Sequence, residues 1–500
     1  MMGVVAKQSF YNVLSVILAF SIGAVNTVVF YPRFMGEALY GIVVILLSQS
    51  NILQPIFSFG VQHTVIKYFS ASRSGKEQDQ LLLFSLVIPL LIILPSGLVF
   101  FYNYQEIATY LSTKNPELAH FIYLIFLIAV STAYFEIFYS WARVQKRTIV
   151  GNFLKEVYQR VLITILLTAL FLQWIDFKGF TIALIIGYYL RLAIIMGYSL
   201  WLYCPKVYFE WPKLNRQYFA YSLLIFLSAF GASIIIDIDA SMLGKLVEDR
   251  YVAYYKVAIF IATIIDAPGR ALFQIVSPLV AEAINKNDKS ALEDLLKKSG
   301  TNLLLVSGLF FVLVNANIDD LYTFIYSLNG QASFALAIPV VLLISLTKLI
   351  TASTGCLNNI ITNSKYYYVV PFFSMGSALT VVLLNVYFID MLGFVGAAYA
   401  TLIVITLFNL IKLLFVAQTF KITPYGKETG YLLMLIGTTY FSFLYISFPF
   451  APFFNMMLKC ALIVLIYLWA CLRLKISESV NAFLINNYQK IKVYLGVDRP

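Results

Sequence analysis

The chain has 500 residues, of which 61% are hydrophobic and only 12% are charged, and its mean hydropathy is +0.84. A typical soluble domain is about 45–50% apolar and about 25% charged, so this composition excludes a soluble enzyme and indicates a membrane protein. The net charge of +11 leaves three explanations, namely nucleic acid, an anionic ligand or the cytoplasmic charge bias of membrane proteins.

Apolar runs separated by charged or Pro/Gly clusters follow one another along the whole chain. A helix of about 20 apolar residues crosses a bilayer, so the runs predict an all-α polytopic membrane protein with about 14 transmembrane helices. The predicted spans are 9–31, 39–66, 81–102, 119–141, 156–175, 180–203, 218–244, 251–281, 300–318, 333–356, 366–389, 393–417, 429–448 and 456–472. Only short turns at 176–179 and 389–392 separate two pairs of neighbours, so twelve spans remain an alternative.

The distribution of Lys and Arg predicts the orientation of these spans. With both termini in the cytoplasm, about 23 basic residues fall in inner loops and about 5 in outer loops. Cytoplasmic loops of membrane proteins are enriched in Lys and Arg, so this orientation is the expected one. It explains most of the net charge without a nucleic-acid partner.

Neither a metal site nor a catalytic centre is predicted. The four cysteines are far apart or lie in apolar runs, and with only His63 and His120 beside them they support no zinc or disulfide framework. No nucleotide-binding loop or catalytic triad occurs, so we expect no covalent chemistry, no ATP hydrolysis and no cofactor. The apolar run after Lys7 is too long for a cleaved signal peptide and is expected to remain as the first span.

Two segments have the pattern of amphipathic helices on the cytoplasmic membrane surface. Ser290 and Glu293 form a Ser-x-x-Glu capping box ahead of an apolar stripe. The tail from Ser477 to Leu495 places apolar residues near helical spacing, with lysines on the other side. A peripheral helix without a specific function is the simpler interpretation of both.

The first six spans and the next six share sequence features. Gly36 ends span 1 as Gly244 ends span 7, and Gly179 precedes span 6 as Gly393 precedes span 12. A repeat after an even number of spans keeps its orientation in the membrane. The pattern therefore predicts two six-helix bundles related by a pseudo-twofold axis along the membrane normal, around a central cavity.

Three motifs occur in order along nearly the whole chain. They are YPRFMGEALYG from Tyr31 to Gly41, DASMLG from Asp239 to Gly244 with VAYY from Val252 and Pro278 after it, and Leu384-Asn385 with LGFVGAAYAT from Leu392 to Thr401. Together they make the sequence resemble the polysaccharide flippases (Wzx type) of the MATE-like, or MOP, transporter superfamily. Span 1 offers only Asn12 and Asn26 where some drug-exporting members carry an acidic residue, which disfavours a drug antiporter.

The resemblance implies two six-helix bundles arranged as a V, with two extra C-terminal helices. The corresponding domains are 1–216, 217–420, 421–476 and a cytoplasmic amphipathic tail at 477–500. It also implies alternating-access transport of an undecaprenyl-pyrophosphate-linked oligosaccharide to the outer leaflet of the bacterial inner membrane, for lipopolysaccharide O-antigen, capsule or exopolysaccharide. Expected partners are this lipid-linked oligosaccharide, Na⁺ or H⁺, membrane lipids, and polysaccharide polymerase and chain-length proteins.

Four basic residues within the predicted spans are the candidate substrate-binding groups, Arg191, Lys256, Arg270 and Lys348. An ionisable group in the hydrocarbon region costs about 2.5–3.5 kcal/mol, so it usually faces a cavity or a partner. Guanidinium and ammonium groups bind phosphate oxygens, so we predict that they bind the pyrophosphate or an anionic glycan. The alternatives are an ion pair of Arg270 with Asp266 and snorkelling of Lys348.

Oxygen-bearing side chains form a second candidate group, for cation coupling. Its members are Asp237, Asp239, Asn385 and Thr401. Hard cations take such ligands, although a helix cap or an ion pair with Lys245 or Lys256 is the simpler interpretation of the aspartates. Because the aspartates are two residues apart, only one of them can face a cavity.

Arg33 and Glu37, at the outer end of span 1, are a candidate gate or a local ion pair. Three other functions stay open for the whole chain. A multidrug cation antiporter and a peptidoglycan-precursor flippase belong to the same superfamily. A membrane polysaccharide polymerase or glycosyltransferase is disfavoured, because the longest loops have only roughly twenty residues.

Overall fold

The fold was analysed in a computed structural model. It describes residues 15–69, 72, 74–207, 216–474 and 476, and within these the side chains at 270, 271 and 274 are not described. The described part of the chain is made of helices and turns and contains no strand. The predicted amphipathic tail at 477–500 lies outside the described residues.

The helices follow the apolar runs of the sequence. Numbered in chain order, they are α1 (Ser15–Met35), α2 (Glu37–Ser58), α3 (Val61–Tyr68), α4 (Gly75–Tyr102), α5 (Tyr104–Leu111), α6 (Tyr123–Val144), α7 (Ile149–Phe153), α8 (Gln159–Phe171), α9 (Phe177–Leu202), α10 (Arg216–Leu246), α11 (Asp249–Ala262), α12 (Ala267–Asn285), α13 (Lys289–Asn315), α14 (Ile318–Asn329), α15 (Ile338–Ser353), α16 (Leu357–Asn363), α17 (Val370–Leu392), α18 (Phe394–Phe420), α19 (Lys427–Leu444) and α20 (Pro452–Arg473). Two stretches are π-helical, Asn26–Met35 within α1 and Leu154–Tyr158 between α7 and α8.

The predicted fold class, an all-α polytopic membrane protein, is confirmed. Among the described residues, twelve helices are long and apolar enough to cross a membrane. The predicted spans at 156–175 and 429–448 coincide with α8 and α19, which are not among these twelve. Helix α8 has only 13 residues, fewer than a membrane span needs, and α19 begins with the charged residues Lys427 and Glu428. The count of fourteen spans stays a prediction.

The predicted capping box near residue 290 is wrong in its position. Asp288 is the residue before the helix, and its side chain accepts a hydrogen bond from the amide of Ala291 at 2.9 Å. Aspartate is as good an N-cap as serine, and here it lies two residues earlier. The helix then runs without a break into the predicted span, so no separate surface helix forms here.

The chain divides into two compact units. Unit 1 comprises Met1–Val257, Leu328–Gln331 and Pro371–Ala397, and unit 2 comprises Ala258–Ser327, Ala332–Val370 and Ala398–Pro500. The domain boundaries expected from the sequence stay predictions. Each unit has its own packed core, described separately below.

In unit 1, glycines of the sequence motifs bring α2 into close contact with α10 and with the first residue of α11. A Cβ on Gly41 would lie 1.9 Å from the carbonyl oxygen of Asp249, and one on Gly244 would lie 2.5 Å from the Ile45 side chain. Asn115 fixes the following turn, because its Nδ2 donates to the Gly244 carbonyl at 2.6 Å and its Oδ1 accepts from the Asp249 amide at 2.9 Å. Small residues at these positions therefore set the distance between two helices.

In unit 2, α13 packs against the C-terminal helices α19 and α20. A Cβ on Gly308 would lie 2.3 Å from the Ile436 side chain, and the Tyr467 hydroxyl donates to the Leu305 carbonyl at 3.0 Å. Lys459 is 4% exposed and donates to the Ala316 carbonyl at 2.9 Å. Close backbone packing and the hydrogen bonds of Tyr467 and Lys459 thus hold these helices together.

Candidate functional site

Unit 1 contains a polar cavity of about 630 Å³. Its walls come from the π-helical part of α1, from α2, α6, α8, α9, α10 and α11, and from the turn between α7 and α8. Five charged residues line it, Arg191, Lys256, Asp237, Glu136 and Lys155. Charged groups are rare inside membrane helices, so a cavity that collects five of them is the main candidate for a binding site.

Arg191 of α9 is the most deeply buried of the five, with 2% of its surface exposed. Its guanidinium lies 4.2 Å from the ring centre of Phe135 and 5.0 Å from that of Tyr188, in cation–π geometry. Its Nη2 donates to the Thr132 hydroxyl at 3.4 Å, and its buried Nε has no hydrogen-bond partner. No carboxylate lies within ion-pair distance of it in the described part of the chain, so the group is held by rings and still has donor capacity.

Lys256 of α11 and Asp237 of α10 line the same cavity. Lys256 makes no ion pair within 4.0 Å among the described residues, although Asp237 is close enough to interact with it electrostatically. Asp237 is buried and lies beside Ser48 and Asn51 of α2. The cavity therefore holds a second cation that makes no ion pair within 4.0 Å among the described residues.

Glu136 of α6 and Lys155 form an ion pair with an N–O distance of 2.7 Å at the edge of this cavity. Neither residue was predicted to be part of the site, because Lys155 lies in the loop before the predicted span 156–175 and Glu136 near the end of the predicted span 119–141. One signal was available. Glu136 follows Thr132 by four residues, which places both on one face of α6.

Two π-helical stretches border the cavity. Thr27 and Tyr31 of the first and Lys155 of the second are among its lining residues. Asn26 of the first stretch binds α8, which follows the second, because its Nδ2 donates to the Arg160 carbonyl at 2.8 Å and its Oδ1 accepts from Thr164 at 2.9 Å. π-helical turns inside α-helices occur often at functional sites, which fits their place here.

The two candidate aspartates of α10 point to different sides, as their spacing predicts. Asp237 faces the cavity, whereas Asp239 accepts hydrogen bonds from the Tyr255 hydroxyl at 2.6 Å and from Asn385 Nδ2 at 2.8 Å. The Oδ1 atom of Asn385 is buried and has no hydrogen-bond partner. The structure thus brings Asp239 and Asn385 together, while Thr401 belongs to unit 2.

The other two predicted cations belong to unit 2. The Nζ of Lys348 lies 3.9 Å from a carboxylate oxygen of Asp266, at the outer limit of an ion pair. Asp266 ends a short 3₁₀ turn, Thr263–Asp266, two residues before Pro268. The side chain of Arg270 lies outside the described residues, so its predicted role and its alternative pairing with Asp266 both stay predictions.

The two candidate gate residues each contact a polar group elsewhere in unit 1. Arg33 Nη1 donates to the Leu328 carbonyl at 3.1 Å, and the Tyr254 hydroxyl donates to the Glu37 carboxylate. Tyr254 belongs to the second sequence motif and Glu37 to the first. These motifs therefore meet through a hydrogen bond, and the gating role of Arg33 and Glu37 stays a prediction.

Comparison with known proteins identifies the family. Residues 5–284 match the model of a family described as "Polysaccharide biosynthesis protein", which covers more than half of the chain. The chain belongs to this family. No curated protein matches it.

Solved structures show the same fold. The structure titled "Lipid II flippase MurJ, inward closed conformation" matches at a TM-score of 0.68 and 17% identity, over 92% of this chain and 98% of that one. A multidrug resistance MATE family transporter of the MOP superfamily, in an inward-facing conformation, matches at 0.58 and 12% identity, over 81% and 94%. The predicted resemblance to this superfamily is confirmed, and at these identities the likeness concerns the fold.

Proposed function

We propose that this polysaccharide biosynthesis family member is a flippase for an undecaprenyl-pyrophosphate-linked oligosaccharide. It carries the lipid-linked repeat unit from the cytoplasmic to the outer leaflet of the bacterial inner membrane by alternating access. The product serves a surface polysaccharide, either lipopolysaccharide O-antigen, capsule or exopolysaccharide. Both termini are cytoplasmic, which follows from the loop charges and remains part of the proposal.

One observation carries this proposal above the others. Arg191 is buried in a membrane-embedded cavity without a carboxylate partner and with an open donor at Nε. A buried cation that has no carboxylate within ion-pair distance is costly, so a ligand that supplies negative charge would be bound strongly there. Lys256 adds a second cation in the same cavity, and a pyrophosphate diester carries about two negative charges.

Energy for the cycle would come from an ion gradient. Asp237 lies in the cavity, and Asp239 accepts a hydrogen bond from Asn385. Their carboxylate and amide oxygens are ligands that Na⁺ takes, and either carboxylate could instead carry a proton. Thr401, Arg270 and Lys348 are proposed as further coupling and substrate residues from unit 2. Polysaccharide polymerase and chain-length proteins are the proposed recipients of the exported unit.

The proposal is tested by deleting the protein in its own host. We expect lipid-linked repeat units to accumulate on the cytoplasmic leaflet and surface polysaccharide to be lost. Re-expression of Arg191→Ala should restore folded protein in the membrane but not surface polysaccharide, whereas Lys178→Ala, an exposed lysine on α9, should restore both. Normal surface polysaccharide in the deletion strain would refute the proposed function.

The fold similarity to a lipid II flippase makes a peptidoglycan precursor the natural rival substrate. At 17% identity this likeness concerns the fold alone, so substrate choice has to be measured. Loss of viability on depletion in rich medium, without a change in surface polysaccharide, would favour the peptidoglycan precursor. Loss of surface polysaccharide in otherwise viable cells would favour our proposal.

A further inference from the structure

The ion pair between Glu136 and Lys155 is not needed for the proposed binding of substrate by Arg191 and Lys256. Both side chains line the cavity that contains Arg191 and Lys256. The N–O distance is 2.7 Å, and the side chains are unequally exposed, 44% for Lys155 and 20% for Glu136. Lys155 is therefore the more accessible partner, with its ammonium group at the cavity surface.

The backbone that carries Lys155 is anchored on both sides of the residue. On one side, Gly151 touches α6 so closely that a Cβ there would lie 2.0 Å from the Tyr139 ring. On the other, the Tyr158 hydroxyl donates to the Gly187 carbonyl of α9 at 3.1 Å. The freedom of Lys155 thus resides in its four-carbon side chain, which has several rotatable bonds and three donors.

Glu136 lies one helical turn from the residues that hold Arg191. Thr132, four residues earlier, accepts a hydrogen bond from Arg191, and the ring of Phe135 stacks on the guanidinium. The carboxylate also interacts electrostatically with Arg191 without forming an ion pair. Glu136 therefore supplies negative charge next to two cations while no ligand is bound.

We propose that Lys155 is a third substrate-binding cation, which Glu136 holds while the cavity is empty. An entering pyrophosphate carries more negative charge than one carboxylate, so Lys155 leaves Glu136 and binds a phosphate oxygen. When the product leaves, Glu136 takes Lys155 back. Glu136 is in this account a positioning residue, which lowers affinity for the bound anion and so speeds its release.

This inference rests on the proposed function and makes separable predictions for the two residues. Removing Lys155 removes one charge-assisted hydrogen bond to the substrate. Removing the charge of Glu136 frees Lys155 permanently, so the substrate binds more tightly and leaves more slowly. In a protein without Lys155, removing the charge of Glu136 frees no lysine. The effects of the two substitutions on substrate binding are therefore not additive.

The test uses the full-length protein in liposomes. Binding of undecaprenyl pyrophosphate without sugar and transport of the lipid-linked repeat unit are measured on the same preparations. We expect Lys155→Met to weaken binding about tenfold, Glu136→Gln to tighten it several-fold while slowing turnover, and the double variant to bind like Lys155→Met. Lys155→Arg keeps the positive charge and should bind like the wild type. This result would show that the weaker binding of Lys155→Met comes from the lost charge and not from misfolding.

The exposed pair Glu282–Lys286, at 2.6 Å, provides matched controls, Glu282→Gln and Lys286→Met, which should change neither quantity. Two results would overturn the inference even if the wild type transports the repeat unit. One is that Lys155→Met and Glu136→Gln weaken binding equally and additively, and the other is unchanged binding in Lys155→Met. If the wild type binds the pyrophosphate lipid with this mutational pattern but transports no repeat unit, the inference stands and the proposed function fails. If the wild type does not bind the pyrophosphate lipid, both fail.

Discussion

Arg191 shows how a single residue in this protein is kept in an unfavourable environment. Its guanidinium is removed from water and has ring faces and one hydroxyl in place of a carboxylate. Cation–π contacts return about 0.5–2 kcal/mol each, which is less than several kcal/mol of desolvation. In the empty protein, the desolvation of Arg191 thus costs more free energy than its contacts return. Binding of an anion is the best explanation for such a residue.

Replacing Arg191 by Met should therefore separate stability from transport. We expect the variant to unfold at the same or a higher temperature than the wild type, because the apolar side chain has no charge to desolvate. Transport should fall at least about tenfold, the value of one lost charge-assisted contact. Thermal unfolding in detergent and transport in liposomes measure the two quantities. A Met variant that keeps full transport would remove Arg191 from the site.

Asn385 is predicted to act on ion coupling rather than on the substrate. It donates to Asp239, and its own Oδ1 is buried with no hydrogen-bond partner, which makes that oxygen available to a cation. In Asn385→Ala the ion dependence of transport should weaken or vanish, while binding of the lipid-linked substrate stays. Asn409→Ala removes an asparagine that donates to Thr351 in unit 2 and is the matched control. Unchanged ion dependence in Asn385→Ala would contradict this role.

At the scale of helices, the sequence motifs act first as packing elements. Gly41 leaves no room for a Cβ against the Asp249 carbonyl, whereas Gly197 on α9 has open space around it. We expect Gly41→Ala to destabilise the protein by about 1–3 kcal/mol, because α2 and the turn after α10 would have to separate. Gly197→Ala should be neutral or slightly stabilising, since alanine favours helix. Equal unfolding temperatures for both variants would contradict this packing.

The C-terminal helix α20 is tied to α14 by a buried polar cluster. Lys459 lies 3.5 Å from Asp320, whose two carboxylate oxygens also accept from Asn455 at 2.9 and 2.8 Å. Asp320→Leu would leave the buried ammonium of Lys459 without its counter-ion, so we expect a loss of about 3–5 kcal/mol. Lys459→Met should cost clearly less, because Asn455 still satisfies Asp320. Thermal unfolding of both variants checks this order, and a reversed order would refute it.

The helices could be predicted from the sequence because their cause is local. Each apolar run long enough to cross a membrane became a helix, and the glycine motifs marked close contacts such as that at Gly41. The site was predicted only in part. Arg191 and Lys256 stood out as isolated charges in apolar runs, and both line one cavity.

What could not be predicted depends on partners distant in sequence. Glu136 and Lys155 form their pair across two helices, and the buried Lys459 has its carboxylate 139 residues earlier. A linear pattern shows the charge but not what neutralises it. For the same reason the ring contacts of Arg191 with Phe135 were invisible in the sequence.

At the scale of the whole molecule, family and fold address different questions. The match to a polysaccharide biosynthesis family assigns the chain to that family, and the likeness to MurJ and MATE structures shows its fold. The charged cavity of unit 1 contributes cations that an anionic headgroup would neutralise, and so bears on the class of substrate. In the proposed orientation, cytoplasmic loops hold most of the basic residues behind the net charge of +11, so the few cations of this cavity are the ones that bear on the proposed function.

The most direct measurement is transport by the purified full-length protein in liposomes. An undecaprenyl-pyrophosphate-linked repeat unit is placed in one leaflet, and its appearance in the other is followed with and without Na⁺ and proton gradients. Our account predicts translocation by the wild type that one of these gradients accelerates, and background rates for Arg191→Ala. Background rates for the wild type under all gradients, or full activity of Arg191→Ala, would contradict it.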